Sequence, residues 1–220
     1  MLDPQNKIPS LYLATALVQE YIPGVDEKAN IQIAESAIEQ YQKVINLDPK
    51  SRDAMKGIAY LYLQMKKFDQ AKEYYLKLID GDPQDAETYY SIGVIDWTQS
   101  YQPRMELRTK LGLDPTTPLI DAVECWQLRD LIEERVKDGI KRLTEAVELR
   151  PDYDDAMAYM NLLFRERADI QCNDKGAYDA DVKTADKWVD LTMQTKKRKL
   201  ERSQPPNQSI LRLREFGSYF

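Results

Sequence analysis

The spacing of three prolines constrains this chain more than any other feature of its sequence. Pro49 lies in an LDP motif, Pro83 in GDP and Pro151 in LRP. The first two are 34 residues apart, and the second and third are separated by twice that distance. Because proline cannot continue a helix, each of them is expected to close a structural unit. A fixed period of this size predicts an array of stacked helical units.

The unit from Arg52 to Asp85 carries the pattern without interruption. Its first helix is predicted from one helical face, which consists of Met55, Ile58, Ala59 and Tyr62. Its second helix is predicted from Ala71, Tyr75 and Leu78, after a turn at residues 66–69. Two helices cross closely only where small side chains meet, so Ala59 and Ala71 are expected at their contact.

These small, aromatic and proline positions resemble the tetratricopeptide repeat (TPR) family, and the chain looks like a bacterial-type member with an insertion in its third repeat. The resemblance implies an all-α fold, a right-handed α-solenoid of about four helical hairpins. The predicted solenoid occupies residues 1–202, and its repeats are placed at about 7–49, 50–83, 84–151 and 152–202. Residues 203–220 are predicted to be a linker followed by an apolar C-terminal segment.

The third repeat is one period too long, which predicts an insertion over residues 102–138. Its second helix is recognised only late, through Gly139, Leu143 and Ala146. We expect an elaborated loop from Gln102 to Pro118, followed by one extended helix from about Leu119 to Leu149. Two roles stay open for the insertion: a functional element, or a decorated loop that covers an edge of the solenoid.

The composition excludes several classes of chemistry. The chain has 220 residues, a formal net charge of −6 and no histidine, which removes histidine-based catalysis and histidine-ligated metal sites. No glycine motif for phosphate binding is present, so neither a cofactor nor a metal is expected. The acidic balance argues against general nucleic-acid binding. Buried or idle thiols are favoured for Cys125 and Cys172, and whether the two pair stays open, since a disulfide needs an oxidising compartment and a close approach of the insertion to the last turn.

The sequence contains no apolar run near the ~20 residues that cross a bilayer, so no membrane span is predicted. The localisation stays open between the cytoplasm and an exported mature form that lacks its signal peptide.

The family resemblance also implies a binding surface, because the first helices of TPR hairpins line a concave groove. The residues expected to face this groove are Leu11, Thr15, Lys56, Tyr60, Leu63, Tyr90, Val94, Trp97, Leu162 and Arg165. This set is rich in aromatic side chains, which suits the capture of an extended peptide or a helix. The predicted function is a non-enzymatic protein–protein interaction module or scaffold with a protein or peptide partner.

Two alternatives from other classes stay open. The first is an enzyme or enzyme subunit that uses the carboxylates of the insertion, which are Glu124, Asp130, Glu133 and Glu134. Their helical spacing fits a solvated helix face equally well. The second is a self-associating structural scaffold, although the last helix, Lys187 to Glu201, is expected to be polar enough to cap the array.

The C-terminal segment is a candidate for that self-association. Its large apolar residues are Ile210, Leu211, Leu213, Phe216, Tyr219 and Phe220. The segment is too short to form a core of its own, so residues 210–220 are predicted to bury themselves in a groove, either that of the same chain or that of a neighbouring copy. An idle chain end is the competing interpretation.

Overall fold

Over the residues that the structure describes, the fold is an α-solenoid of four helical hairpins. The computed structural model describes residues 6–114, 117–119 and 122–203, and within these ranges the regular secondary structure is entirely helical. In chain order the helices are α1 (Ile8–Glu20), α2 (Lys28–Leu47), α3 (Arg52–Gln64), α4 (Phe68–Gly81), α5 (Ala86–Lys110), α6 (Ala122–Leu149), α7 (Asp154–Asp169) and α8 (Lys175–Ser203). Successive helices pair as α1–α2, α3–α4, α5–α6 and α7–α8, and each pair contacts the next. In the described part of the chain, no helix is both long enough and apolar enough to cross a bilayer.

The first two hairpins end in the same Asp-Pro turn. Asp48 follows α2, and its Oδ1 accepts a hydrogen bond from the backbone N–H of Lys50 at 3.1 Å. Asp82 follows α4, and its Oδ1 accepts one from the N–H of Gln84, also at 3.1 Å. A side chain that bonds the backbone two residues ahead stabilises a turn, and the proline between them prevents the helix from continuing. The 34-residue period of the sequence therefore corresponds to the repetition of this Asp-Pro turn.

Small residues lie where the helices of a hairpin cross, as the sequence predicts. Ala59 and Ala71 are fully buried and belong to one apolar cluster with Leu78. One period after Ala59, the buried Gly93 of α5 faces α6 so closely that an added Cβ would lie 2.5 Å from Cγ of Leu143. The register predicted for the second hairpin is thus confirmed.

We expect Ala59→Leu to lower the free energy of unfolding by ~1–3 kcal/mol, because three extra carbons must enter a crossing that has no space for them. Urea unfolding measures the change, and Ala180→Leu at an exposed position of α8 is the matched control. Equal midpoints for the two variants would contradict this register.

The third hairpin departs from the sequence expectation. α5 has 25 residues and α6 has 28, whereas α3 and α4 have 13 and 14. The expected loop over Gln102–Pro118 is wrong, because α5 continues through Pro103 to Lys110. The long second helix is present and begins at Ala122, close to the predicted Leu119. The insertion therefore lengthens both helices of this hairpin. Contacts of the last turns of α5 with α7 offset the cost of an interior proline.

The last helix also differs from expectation. Its buried face runs through Asp181, Ala185, Thr192 and Thr195. Three of these four residues are polar, so hydrophobic periodicity could not locate this face. The expected polar outer face is polar only in part, because Val189, Met193 and Leu200 are exposed among its charged residues.

Candidate functional site: the concave face

The predicted groove residues lie on the first helices of the hairpins. α3 carries Lys56, Tyr60 and Leu63, α5 carries Tyr90, Val94 and Trp97, and α7 carries Leu162 and Arg165, while Leu11 and Thr15 lie on α1. The triplets on α3 and α5 are one 34-residue period apart and so occupy equivalent positions. Among these first helices, α1 contacts α3 and α5 contacts α7.

Tyr90 and Trp97 meet through aromatic residues that the sequence did not single out. The ring centroid of Tyr90 lies 4.9 Å from that of Tyr153 and 5.7 Å from that of Tyr159. The Trp97 ring lies 5.2 Å from Tyr159 and 5.1 Å from Tyr101. These five rings form one continuous row between α5 and α7, which we call the aromatic ladder. Tyr101 stands one period after Lys67 and four residues after Trp97, a spacing that could have identified it as a groove residue.

Three phenols of the ladder, those of Tyr90, Tyr153 and Tyr159, stay protonated at neutral pH. Burial, with the neighbouring phenols of Tyr159 and Tyr153, raises the pKa of Tyr90 far above its ordinary value. Burial likewise raises the pKa of Tyr153 to about 12, and that of Tyr159 is raised for the same reason. The ladder therefore offers flat apolar rings with neutral hydroxyl groups rather than charge.

Tyr60 lies outside the ladder, on α3, and is 39% exposed. The two predicted cations of the groove already have partners. Nζ of Lys56 lies 2.9 Å from Oδ2 of Asp85, and Nη2 of Arg165 lies 2.7 Å from Oδ1 of Asp186. Burial alone would raise the pKa of Asp85, but the Lys56 ammonium and the Thr88 hydroxyl outweigh it and lower that pKa. The charges of the groove are thus largely neutralised before any partner arrives.

A buried ion cluster, formed by Arg104, Arg108, Glu166 and Asp169, joins the end of α5 to the end of α7. Oδ2 of Asp169 accepts a hydrogen bond from Nε of Arg104 at 2.6 Å and another from Nη1 of Arg108 at 2.5 Å. Nη2 of Arg108 also donates to the carbonyl oxygens of Asp114 and of Thr117, the latter at 2.6 Å. Arg108 is only 1% exposed, so its guanidinium fixes this loop from inside the protein.

Two buried carboxyls have pKa values shifted towards neutrality. Burial raises the pKa of Glu166 to about 7, although Arg104 opposes the shift. Burial also raises the pKa of Asp96 to about 6, against the effect of Lys72, whose Nζ lies 2.7 Å from its Oδ1. A shifted pKa is one mark of a catalytic acid, but both side chains are closed off from solvent. We assign them to helix contacts, because neither can meet a substrate.

The carboxylates of the insertion lie along α6. Glu133 lies 3.0 Å from Nη2 of Arg129 and 3.3 Å from Nζ of Lys137. Glu134 is mostly exposed and also pairs with Lys137, at 3.1 Å. Asp130 is exposed as well. This is the ion-pair pattern of a solvated helix face. Among the described residues, no group of three or more potential ligands could hold a metal ion.

Cys125 and Cys172 form a disulfide, which corrects the favoured interpretation of them as idle thiols. The bond joins the first turns of α6 to the turn between α7 and α8, across a sequence separation of 47 residues. Both residues are buried. A cavity of about 260 Å³ lies beside Cys172, with Leu119, Ala168 and Tyr178 among its lining residues. The apolar segment at residues 210–220 lies outside the described residues.

Solved structures with a similar succession of helices include two MamA structures and the TPR protein YrrB. The MamA protein is 15% identical, with 90% of this chain and 96% of that chain covered, at a TM-score of 0.38. YrrB, described as a TPR protein with an unusual peptide-binding site, is 17% identical over 88% and 93% of the two chains, at 0.36. MamA 41-end from Desulfovibrio magneticus RS-1 is 14% identical over 86% and 96%, at 0.34.

A sequence comparison matches one part of the chain to a known family. No curated protein matches this chain. Residues 34–92 match the tetratricopeptide repeat family, and they include the whole unit from Arg52 to Asp85 with its Asp-Pro turns. Over residues 34–92 the chain is therefore similar to the tetratricopeptide repeat family.

Proposed function

We propose that this chain is a non-enzymatic interaction module that binds an extended peptide or a helix along the concave groove. The observation that carries the proposal is the aromatic ladder between α5 and α7, which ends in the exposed ring of Tyr101. Tyr60 offers a second exposed ring on the neighbouring first helix, α3.

The ladder suits binding because its rings are already held in place. Each ring packs against the next, so little side-chain entropy is lost when a partner docks on them. Large, rigid aromatic side chains are the residues that most often dominate binding energy at protein interfaces. The neutral phenols add hydrogen-bonding groups for the backbone of a peptide, which has both donors and acceptors.

A protein or peptide fits this surface better than a nucleic acid. The chain carries a net charge of −6, and a phosphate backbone is bound mainly through unpaired lysines and arginines. In the groove, Lys56 and Arg165 are both engaged with carboxylates. We therefore place the partner among peptides with apolar or aromatic side chains.

The test uses the two exposed rings, because Tyr90 and Trp97 also hold the fold together. A library of random displayed peptides is selected on the full chain, and the binding of the selected peptides is measured by calorimetry. We expect the double variant Tyr60→Ala/Tyr101→Ala to bind about 30-fold more weakly, which corresponds to ~2 kcal/mol.

Tyr12→Ala is the matched control, because Tyr12 is an exposed tyrosine on α1 outside the predicted groove set. Circular dichroism establishes that the variants are folded. The proposal fails if the double variant binds the selected peptides as tightly as the control does. In a second step, the triple variant Tyr60→Ala/Tyr90→Ala/Trp97→Ala removes the centre of the ladder. Its peptide binding is compared with that of the wild type only after an unfolding curve has shown that the variant is folded.

A further inference from the structure

The outer face of α8 leaves an apolar stripe without a cover among the described residues. Val189, Met193 and Leu200 are 38%, 64% and 60% exposed. Their spacing of four and seven residues places them on one side of the helix. No further helix follows α8 in the described part of the chain, so this side faces outward from the end of the array. A terminal unit of a solenoid needs a polar outer face, and this one is partly apolar.

The rest of the chain begins where this stripe ends. α8 stops at Ser203, three residues after Leu200. Pro205 and Pro206 follow, and they prevent the same helix from continuing. The six residues 204–209 can span roughly 20 Å when extended, which exceeds the roughly 8–10 Å between the axes of packed helices. The linker is therefore long enough for the chain to turn back along α8.

The C-terminal segment has the pattern and the length that the stripe requires. Ile210, Leu213, Phe216 and Phe220 recur every three or four residues, the spacing of an amphipathic helix. Eleven helical residues would cover about 16 Å, and Val189 to Leu200 extends over a similar distance. We propose that residues 210–220 dock on the stripe of their own α8 and cover it.

An intramolecular site is favoured over a second copy by proximity. Only six residues separate the segment from α8, and so short a tether gives an effective concentration in the millimolar range. The predicted groove residues lie on other helices, α1, α3, α5 and α7, whereas the stripe lies on the helix that the segment itself follows. Docking on α8 would also leave the groove open for the partner proposed above.

Coupling between the two surfaces tests the inference in the full chain. Met193→Lys should disturb docking from the side of α8, and Leu213→Ser/Phe216→Ser from the side of the segment. If the surfaces touch, each change lowers the equilibrium constant for folding by about tenfold, and the combination costs little more than either alone. Leu131→Lys on α6 is the control. Because this leucine is exposed on a different helix, its effect on the free energy of unfolding should add to that of the segment variant. A chain that ends at residue 203 provides a second comparison, in which Met193→Lys should no longer destabilise.

Three results would overturn the inference. If the effects of Met193→Lys and of the segment variant on the free energy of unfolding are fully additive, the stripe and the segment do not touch. Coupling of the segment variant to Tyr60→Ala instead would place the segment in the groove. Coupling that disappears on dilution, with a dimer in light scattering, would assign the stripe to a second copy. A monomer that retains the coupling at all concentrations supports docking within one chain.

Discussion

Replacing Cys125 and Cys172 together by alanine is expected to lower the free energy of unfolding by about 4 kcal/mol. The disulfide closes a loop with a sequence separation of 47 residues, and removing such a cross-link restores conformational entropy to the unfolded chain. In a chain of this size the loss corresponds to a fall of roughly 10 °C in the melting temperature. Calorimetry in the absence of reductant measures it.

The wild-type chain in excess dithiol provides the control, because reduction should bring its melting temperature towards that of the double variant. Hydrogen exchange should show the largest loss of protection at the turn between α7 and α8. There Cys172 and Asn173 both have positive φ angles, 24° and 63°, which are unfavourable for residues other than glycine. An unchanged melting temperature in the variant and in reductant would mean that the cross-link does not constrain the fold.

Arg108→Met is expected to destabilise the protein by about 3–5 kcal/mol, the usual cost of removing one partner from a buried ion pair. Methionine fills a similar volume but leaves Oδ2 of Asp169 with Arg104 alone, and it leaves the carbonyl of Thr117 without its donor. Because Asp169 is buried, solvent cannot readily replace the hydrogen bond that its carboxylate loses.

Arg129→Met is the matched control for this substitution. Arg129 pairs with Glu133 on the same helix and is about one-third exposed, so its loss should cost less than 1 kcal/mol. Urea unfolding of the two variants under the same conditions gives the comparison. If Arg108→Met costs no more than Arg129→Met, the buried ion cluster does not stabilise the contact between α5 and α7.

Sequence reasoning succeeded where each position has a single steric requirement. In the second hairpin, Ala59 and Ala71 had to be small and Pro83 had to end a helix, so the register followed from the period. It failed at Pro103, because contacts of α5 with α6 and α7 outweigh the local preference against proline. It also missed the buried face of α8, whose polar residues give no hydrophobic periodicity.

The candidate site was predictable only in part. Tyr90 and Trp97 repeat the spacing of Lys56 and Leu63, so their place on a first helix followed from the period. Tyr153 lies in the turn before α7, and its contact with Tyr90 depends on how the two helices pack. The disulfide could not be foreseen for a similar reason: the sequence separates Cys125 from Cys172, and only the tertiary fold brings them together.

The connections of the third and fourth hairpins limit how this chain can change in evolution. In a uniform array, whole units can be duplicated or deleted, since each contacts only its neighbours. The hairpins before residue 86 keep that modular character. From α5 onward, a covalent bond ties α6 to the turn before α8, and a buried ion cluster ties α5 to α7. We therefore expect residues 86–203 to be inherited or transplanted as one block, with units added or removed outside it.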